Sequence, residues 1–184
     1  LAVKPIASGG TEEIAALQNL RPTYTKPIYH YVFKPPISPH LAAAQTGETI
    51  SFVQLDKCIK THHHQDVYDT LLVETTGGIM CPINHTHTWC DYISYTKKPV
   101  IFVVGMRLGC LNHALLTAHA LQTYHIPCVG WVANCIDSNM EALEENIQTL
   151  KTLLPYEQIN PTEFANSVVP AHLANTSENQ GFCR

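Results

Sequence analysis

Apolar and polar positions follow one another along this chain in blocks that predict strands and helices in turn. A continuous apolar run over 99–104, bounded by Pro and Gly, predicts a strand buried on both faces. Residues 110–124 then show the amphipathic pattern of a helix of roughly four turns. Shorter apolar runs over 69–74 and 128–133 predict two further strands. Strands that alternate with helices predict an α/β fold with a mostly parallel sheet.

The rest of the chain continues this pattern less regularly. We predict a strand at 1–6, an irregular covering loop over 21–37, and helices over 12–20, 38–47, 49–62, 88–96 and 139–154. Pro155 is expected to end the last helix, because proline lacks the N–H that a helix needs. Residues 156–184 lack periodicity and carry no prediction. We expect the whole chain, 1–184, to form a single three-layer domain with helices on both faces of the sheet.

Composition narrows the class of protein. The chain has 11 Lys and Arg against 15 Asp and Glu, a net charge of −4 with His neutral, and its lack of a basic stripe argues against a nucleic-acid partner. No apolar run reaches the length of a membrane span and no signal peptide opens the chain, so we expect a cytoplasmic protein without membrane association. Seven scattered cysteines favour reduced, buried thiols.

Polar residues follow the predicted strands at the points where the strands end. Glu74 is followed by the paired glycines Gly77 and Gly78, and Asn134 ends the strand over 128–133. Because the carboxyl ends of parallel strands share one edge of a sheet, these groups predict a metal and phosphate site there. Gly109 opens the helix over 110–124, and the free N–H groups of a helix start attract anions.

Five segments, in this order, resemble the dethiobiotin synthetase family of biotin biosynthesis, which belongs to the P-loop NTPase superfamily. They are KPIASG (Lys4–Gly9), ISPHL (Ile37–Leu41), LVETTGG (Leu72–Gly78), VVGMRLGCLNHA (Val103–Ala114) and GWVAN (Gly130–Asn134). The resemblance covers about residues 1–155 and implies a P-loop NTPase-like fold. The family's first strand, glycine loop and first helix have no counterpart, and the motif G-x-x-x-x-G-K-[ST] does not occur. We therefore expect the natural protein to contain further segments. A degenerate homologue that no longer binds nucleotide is the alternative.

The resemblance implies an ATP- and magnesium-dependent ligase that closes the cyclic urea of dethiobiotin. In that reaction CO2 and 7,8-diaminopelargonate form a carbamate, ATP converts it to a carbamic–phosphoric anhydride, and the second amine closes the ring. The implied partners are these small molecules and a second copy of the chain, in a homodimer. A nucleotide-switched partner-binding protein of the same superfamily is the alternative function.

The resemblance also implies roles for individual residues at the reacting end of the substrates. Lys4 is the implied catalytic cation near the carbamate and the γ-phosphate, where negative charge collects. Glu74 and Glu13 are the implied metal ligands, although a solvated helix carboxylate is an equal alternative for Glu13. The implied nucleotide-binding residues are Glu13, Glu74, Thr75, Thr76, Gly77, Asn134 and Cys135.

The implied substrate contacts are spread along the chain. They are Ser8, Gly78, Leu108, Gly109, Cys110, Asn112 and Asn146. Ser8 is expected to donate a hydrogen bond to the carbamate, and the helix start at Gly109 to bind the distant carboxylate of the substrate. A solvated helix position is an equal alternative for Asn146.

One cluster favours a different function. Cys81, His85, His87 and Cys90 place four metal-binding side chains within ten residues, which would suit a structural zinc site. Their spacing is not a common zinc spacing, and Cys90 lies in the apolar pattern of a helix. Zinc is therefore the less favoured hypothesis.

Overall fold

The computed structural model describes residues 1–19, 28–63, 70–137 and 139–161. The chain divides into two compact units, Leu1–Tyr92 and the part that begins at Ile93. Within the described ranges all three strand ladders are parallel and helices separate most of the strands. The predicted α/β class is therefore confirmed, whereas the arrangement as a single domain stays a prediction.

The elements of each unit follow the chain order. The first unit contains β1 (Ala2–Val3), β2 (Ile6–Ser8), α1 (Glu12–Asn19), β3 (Tyr31–Phe33), α2 (Pro39–Gln45), α3 (Phe52–His63), β4 (Leu72–Val73) and the start of α4 (Trp89–Thr96). The second contains β5 (Val100–Gly105), α5 (Cys110–Thr123), β6 (Cys128–Asn134) and α6 (Leu143–Leu153). β1 pairs with β4, β2 with β3, and β5 with β6. No helix in the described ranges is long and apolar enough to cross a membrane.

The predicted strand over 1–6 is interrupted at Pro5, which separates β1 from β2. Proline has no N–H to donate to a ladder, and the Pro5 carbonyl accepts the N–H groups of His30 and Tyr31, at 2.9 Å each. The chain thereby changes its partner from β4 to β3. The predicted irregular loop over 21–37 is wrong where it contains β3, and its residues 21–27 lie outside the described residues.

One hydrophobic cluster of the first unit joins α1 to the paired strands. Ile14 of α1 is buried together with Val3, Ala7 and Ile28. Five partly buried apolar side chains pack against this cluster, namely Leu1, Leu17, Val32, Leu71 and Val73. The apolar face of α1 therefore covers β1 and β4 close to the point where both strands end.

The second unit is built on the longer β5–β6 ladder. The prediction that β5 is buried on both faces is wrong, because Phe102 and Val104 are buried while Val103 between them is 58% exposed. β6 does have a continuous buried run, over 130–133. Helices α5 and α6 contribute buried apolar residues to this unit, namely Ala114, Ala118, Leu121, Ile147 and Leu150.

Several boundaries differ from the prediction for local reasons. α6 begins at Leu143 instead of 139, because the Asp137 carboxylate accepts the N–H of Asn139 in a turn. α3 begins at Phe52 instead of 49. The strand predicted over 69–74 is reduced to β4, and Leu72 is 47% exposed instead of buried. Residues 64–69 lie outside the described part.

Candidate functional site

Lys4, Glu13 and Glu74 form a charged group, here called the Lys4 cluster. The Lys4 Nζ atom lies 2.7 Å from Glu13 Oε2 and 2.6 Å from Glu74 Oε1. The Lys4 side chain is 4% exposed, whereas those of Glu13 and Glu74 are 67% and 49% exposed. The cation is therefore held inside the unit while both carboxylates remain accessible to a ligand.

Strand register and a glycine turn assemble the Lys4 cluster. Val3 pairs with Val73, and the Glu74 N–H donates to the Val3 carbonyl at 2.8 Å, so Lys4 and Glu74 follow their strands at the same level. Gly9 and Gly10, with φ of 107° and 118°, then turn the chain into α1. Such φ values are accessible to glycine and rare for other residues. This turn returns Glu13, in the first turn of α1, to Lys4.

The charge of Lys4 is stabilised by its neighbours. Burial lowers the pKa of Lys4, but hydrogen bonds and coulombic attraction from Glu13 and Glu74 together raise it more, so the net pKa lies above its ordinary value of 10.5. Lys4 therefore remains protonated at neutral pH. A permanently charged ammonium suits electrostatic stabilisation of an anion better than proton transfer near pH 7.

Ser8 is oriented differently from the prediction. Its hydroxyl is directed at the backbone carbonyls of Pro35, at 3.0 Å, and of Ile37. A serine hydroxyl has one hydrogen to donate, so that hydrogen is engaged by the backbone and not free for a carbamate. In this arrangement Ser8 offers a substrate its lone pairs, which accept hydrogen bonds, and its contact with the carbamate stays a prediction.

The loop after Glu74 combines anchored and open backbone. The Thr76 hydroxyl donates to the Ile6 carbonyl of β2. Gly77 has φ of 76°, and a Cβ there would lie 3.0 Å from Cys81 Sγ. A Cβ at Gly78 would meet nothing within 4 Å. Thr75 is half-buried, and Gly77 and Gly78 are exposed, so the backbone of the two glycines is accessible to a phosphate or a substrate.

The Lys4 cluster has a donor set that fits magnesium. Mg²⁺ in phosphate-transfer sites binds through one or two carboxylates, with substrate phosphates and water as its other ligands. Glu13 and Glu74 supply two exposed carboxylates that already converge on one cation. No group of three or more His, Cys, Asp or Glu that could hold a metal occurs in the described ranges. The four side chains of the zinc hypothesis, at 81, 85, 87 and 90, therefore do not converge there.

In the second unit, the predicted anion site lies at the start of α5. Gly109 occupies the N-cap position with φ of 91°. Leu108 is 97% exposed and Asn112 is exposed, whereas Cys110 is 2% exposed. The Cys110 thiol is therefore not accessible to a substrate, and its backbone N–H donates to the Arg107 carbonyl at 3.0 Å.

Asn134 and Asn146 are placed by different elements of the second unit. Asn134 ends β6 opposite Gly105, and its carbonyl accepts the Met106 N–H at 2.7 Å. The Asn134 side chain and the adjacent Cys135 are partly buried. The Asn146 amide nitrogen donates to the Ala142 carbonyl one turn earlier in α6, at 2.7 Å. This bond favours the alternative of an ordinary helix-surface residue for Asn146.

Trp89 is a residue of the site region that the sequence analysis did not single out. Its indole N–H donates to the Thr76 carbonyl at 2.9 Å, and the residue is fully buried. Thr88 and Asp91 form reciprocal hydrogen bonds that begin α4. The spacing Thr-x-x-Asp before an apolar helix is a capping signal, and it would have placed Trp89 at the first helical position.

A comparison with known protein families identifies the class of protein to which the chain belongs. The chain matches the family described as an AAA domain over residues 3–169. This match places it in the P-loop NTPase class, in agreement with the α/β elements and parallel strand pairs described above.

Individual relatives then give the family. The chain is 38% identical over 176 residues to the ATP-dependent dethiobiotin synthetase BioD of Legionella pneumophila (strain Corby), a match covering 91% of this chain and 82% of the relative. It is 44% identical over 126 residues to BioD of Pseudoalteromonas translucida (strain TAC 125), covering 68% and 55%. It is 38% identical over 165 residues to BioD of Cellvibrio japonicus (strain Ueda107), covering 84% and 72%. The chain belongs to the dethiobiotin synthetase family.

Proposed function

We propose that the protein is an ATP- and magnesium-dependent ligase that forms dethiobiotin from 7,8-diaminopelargonate and CO2. The observation that carries this proposal is the Lys4 cluster, in which a buried ammonium after β1 lies between two accessible carboxylates, Glu74 after β4 and Glu13 in α1. The proposed path passes through a carbamate and a carbamic–phosphoric anhydride. Both species concentrate negative charge on oxygen, which a fixed cation stabilises.

In this mechanism Lys4 binds the anionic oxygens. A lysine ammonium has three N–H donors, and bonds to Glu13 and Glu74 engage two of them. The third donates to a carbamate or γ-phosphate oxygen. The hydrogen bonds to both carboxylates also fix the position of the ammonium, so the charge is oriented before the substrates bind and little reorganisation is needed during the reaction.

Glu74 and Glu13 would hold the magnesium ion, and the accessible backbone of Gly77 and Gly78 would contact the phosphates. Magnesium, when bound with ATP, neutralises charge on the phosphoryl group during transfer. Ser8 contributes lone pairs, which accept a hydrogen bond from a substrate amine. Asn134 and Cys135 belong to the proposed nucleotide contacts in the second unit.

The test is the substitution Glu74→Gln in the full-length protein, which keeps the size of the side chain and removes its charge. Turnover of ATP with diaminopelargonate and bicarbonate should fall by orders of magnitude, because charge stabilisation at the phosphoryl group is lost. Glu12→Gln is the matched control, since Glu12 is an exposed carboxylate in the same first turn as Glu13. Near-normal turnover of Glu74→Gln at saturating magnesium would remove Glu74 from the site.

We further propose a homodimer in which the start of α5 binds the substrate carboxylate for the partner's site. The exposed Gly109 and Asn112 at a helix N-terminus support this role. Full-length Lys4→Ala and Asn112→Ala variants, each nearly inactive, are mixed until their subunits exchange. A mixed dimer has one doubly defective and one intact site, so activity should recover to roughly a quarter of the wild type. Confirmed exchange without recovery would assign both residues to the same chain's site.

A further inference from the structure

The Thr76 side chain continues the β1–β4 register beyond the end of its backbone ladder. The ladder pairs Ala2 with Leu72 and Val3 with Val73. It cannot continue through Pro5, which has no N–H and whose carbonyl is bonded to the β3 side. At the residue after Pro5, the Thr76 hydroxyl donates to the Ile6 carbonyl. Ile6 and Thr76 are separated by 70 positions in the sequence, as are the residues paired in the ladder. A side-chain bond thus joins the two segments where the backbone bonds end.

A second bond fixes Thr76 from the opposite direction. The Trp89 indole N–H donates to the Thr76 carbonyl at 2.9 Å. Trp89 itself is fixed, because its own N–H donates to the Cys81 carbonyl at 3.1 Å and it begins α4 beside the Thr88–Asp91 capping bonds. Thr76 is therefore held through its hydroxyl by β2 and through its carbonyl by α4.

We infer that Thr76 and Trp89 are positioning residues that set the distance between the Glu74 carboxylate and Lys4. This inference rests on the proposed function of the Lys4 cluster. Glu74 lies two residues before Thr76, and its backbone N–H donates to the Val3 carbonyl of β1. Its side chain is 49% exposed and accepts a bond from Lys4 Nζ at 2.6 Å, so the backbone on either side of Glu74 determines where that bond can form. The bonds to Thr76 restrain the loop on the other side of Glu74.

The first test removes the Thr76 hydroxyl in the full-length protein. Thr76→Val keeps the shape of the side chain and should lower kcat about tenfold and weaken binding of Mn²⁺ with ATP, measured by electron paramagnetic resonance, about fivefold. Thr76→Ser restores the hydroxyl and should return both quantities to within about twofold of wild type. The matched control is Thr46→Val, which removes a hydroxyl-to-carbonyl bond of 2.9 Å at the end of α2. It should change neither quantity.

The second test compares the two tryptophans of the chain, which are both fully buried. Trp89→Phe removes the indole bond to Thr76. Trp131→Phe removes an indole nitrogen that has no hydrogen-bond partner among the described residues. Both changes reduce packing and should lower the melting temperature. Trp89→Phe should also weaken Mn²⁺–ATP binding about threefold, while Trp131→Phe leaves that binding unchanged.

The outcomes separate this inference from the proposed function. If Glu74→Gln is inactive while Thr76→Val and Trp89→Phe bind Mn²⁺–ATP and turn over like their controls, the positioning role is wrong and the proposed function stands. If Thr76→Ser behaves like Thr76→Val, the hydroxyl is not the positioning group, which also overturns the inference. Near-normal turnover of Glu74→Gln overturns the proposed function itself.

Discussion

The two units of this chain hold their strands together by different means. In the second unit, β5 and β6 share six register pairs; α5 connects these strands in sequence and α6 follows β6. In the first unit, β1–β4 has two register pairs and β2–β3 has three. Beyond these short ladders, side-chain hydrogen bonds connect the segments: the Ser8 hydroxyl donates to the segment after β3, and the Thr76 hydroxyl donates to β2.

This difference between long and short strand ladders indicates where the fold can place reactive groups. A long ladder satisfies its own backbone and leaves little need for polar side chains. The short strands of the first unit end among charged groups, and Lys4 is buried there between Glu13 and Glu74. Burying a charge costs free energy that its ion pairs offset without much net gain, so we expect the Lys4 cluster to serve function more than stability. The following variants test this contrast.

The largest stability effect is expected at Gly130 in β6. A Cβ there would lie 2.6 Å from the Glu157 carbonyl oxygen and 2.7 Å from Ile159 Cγ1. Gly130→Ala should lower the free energy of unfolding by about 3 kcal/mol, at the upper end of overpacking costs. Gly78→Ala in the first unit is the control, since its Cβ meets nothing within 4 Å. Urea unfolding measures both. Equal losses would contradict the expected clash at Gly130.

A smaller effect is expected where β5 leads into α5. Gly109 has φ of 91°, and its Cβ would meet nothing within 4 Å, so Gly109→Ala adds backbone strain without a clash. The expected cost is about 1 kcal/mol. Leu108→Ala, at a position 97% exposed, should leave stability unchanged. A loss above 3 kcal/mol for Gly109→Ala would indicate that the start of α5 has collapsed.

The smallest stability effect at neutral pH is expected for Lys4→Met. Both carboxylate partners are exposed enough to be solvated once the cation is removed, so the free energy of unfolding should change by less than about 1 kcal/mol. Activity should nevertheless be lost, because Lys4 is the proposed cation at the carbamate and the γ-phosphate. Urea unfolding and turnover are measured on the same preparations of Lys4→Met. A large loss of stability would show that the Lys4 cluster has a structural role.

The difference in stability between the wild type and Lys4→Met should depend on pH in one direction only. The pKa of Lys4 in the folded protein is raised above 10.5 by its bonds to Glu13 and Glu74, which outweigh the lowering by burial. The stability gained from this shift is fully present below pH 10.5 and is lost as the pH rises through the folded-state value. Wild-type stability relative to Lys4→Met should therefore be constant from neutral pH to about pH 10 and decline above that. A change near pH 7 would require another titrating group.

Regular segments were predictable because their periodicity is local. Helix α5 spans Cys110–Thr123 where the pattern predicts 110–124, and β5 spans Val100–Gly105 where it predicts 99–104. The carboxylate at Glu74 was predictable as a polar residue at a strand end, whereas Lys4 was identified by the resemblance of the segment KPIASG to the family. Each depends on residues that are neighbours in sequence, so side-chain pattern and capping signals are enough to find them.

The sequence by itself thus determined the α/β class, the dethiobiotin synthetase resemblance and the residues around Lys4 and Glu74. Only the tertiary structure decided which of these groups contact one another. Three features show this: the change of strand partner at Pro5, the direction of the Ser8 hydroxyl and the bond from Trp89 to Thr76. Each involves contacts between residues that are far apart in sequence or that follow no periodic pattern. Such contacts depend on how separate segments pack against one another, and the hydrophobic pattern of the sequence does not specify the distances between those segments.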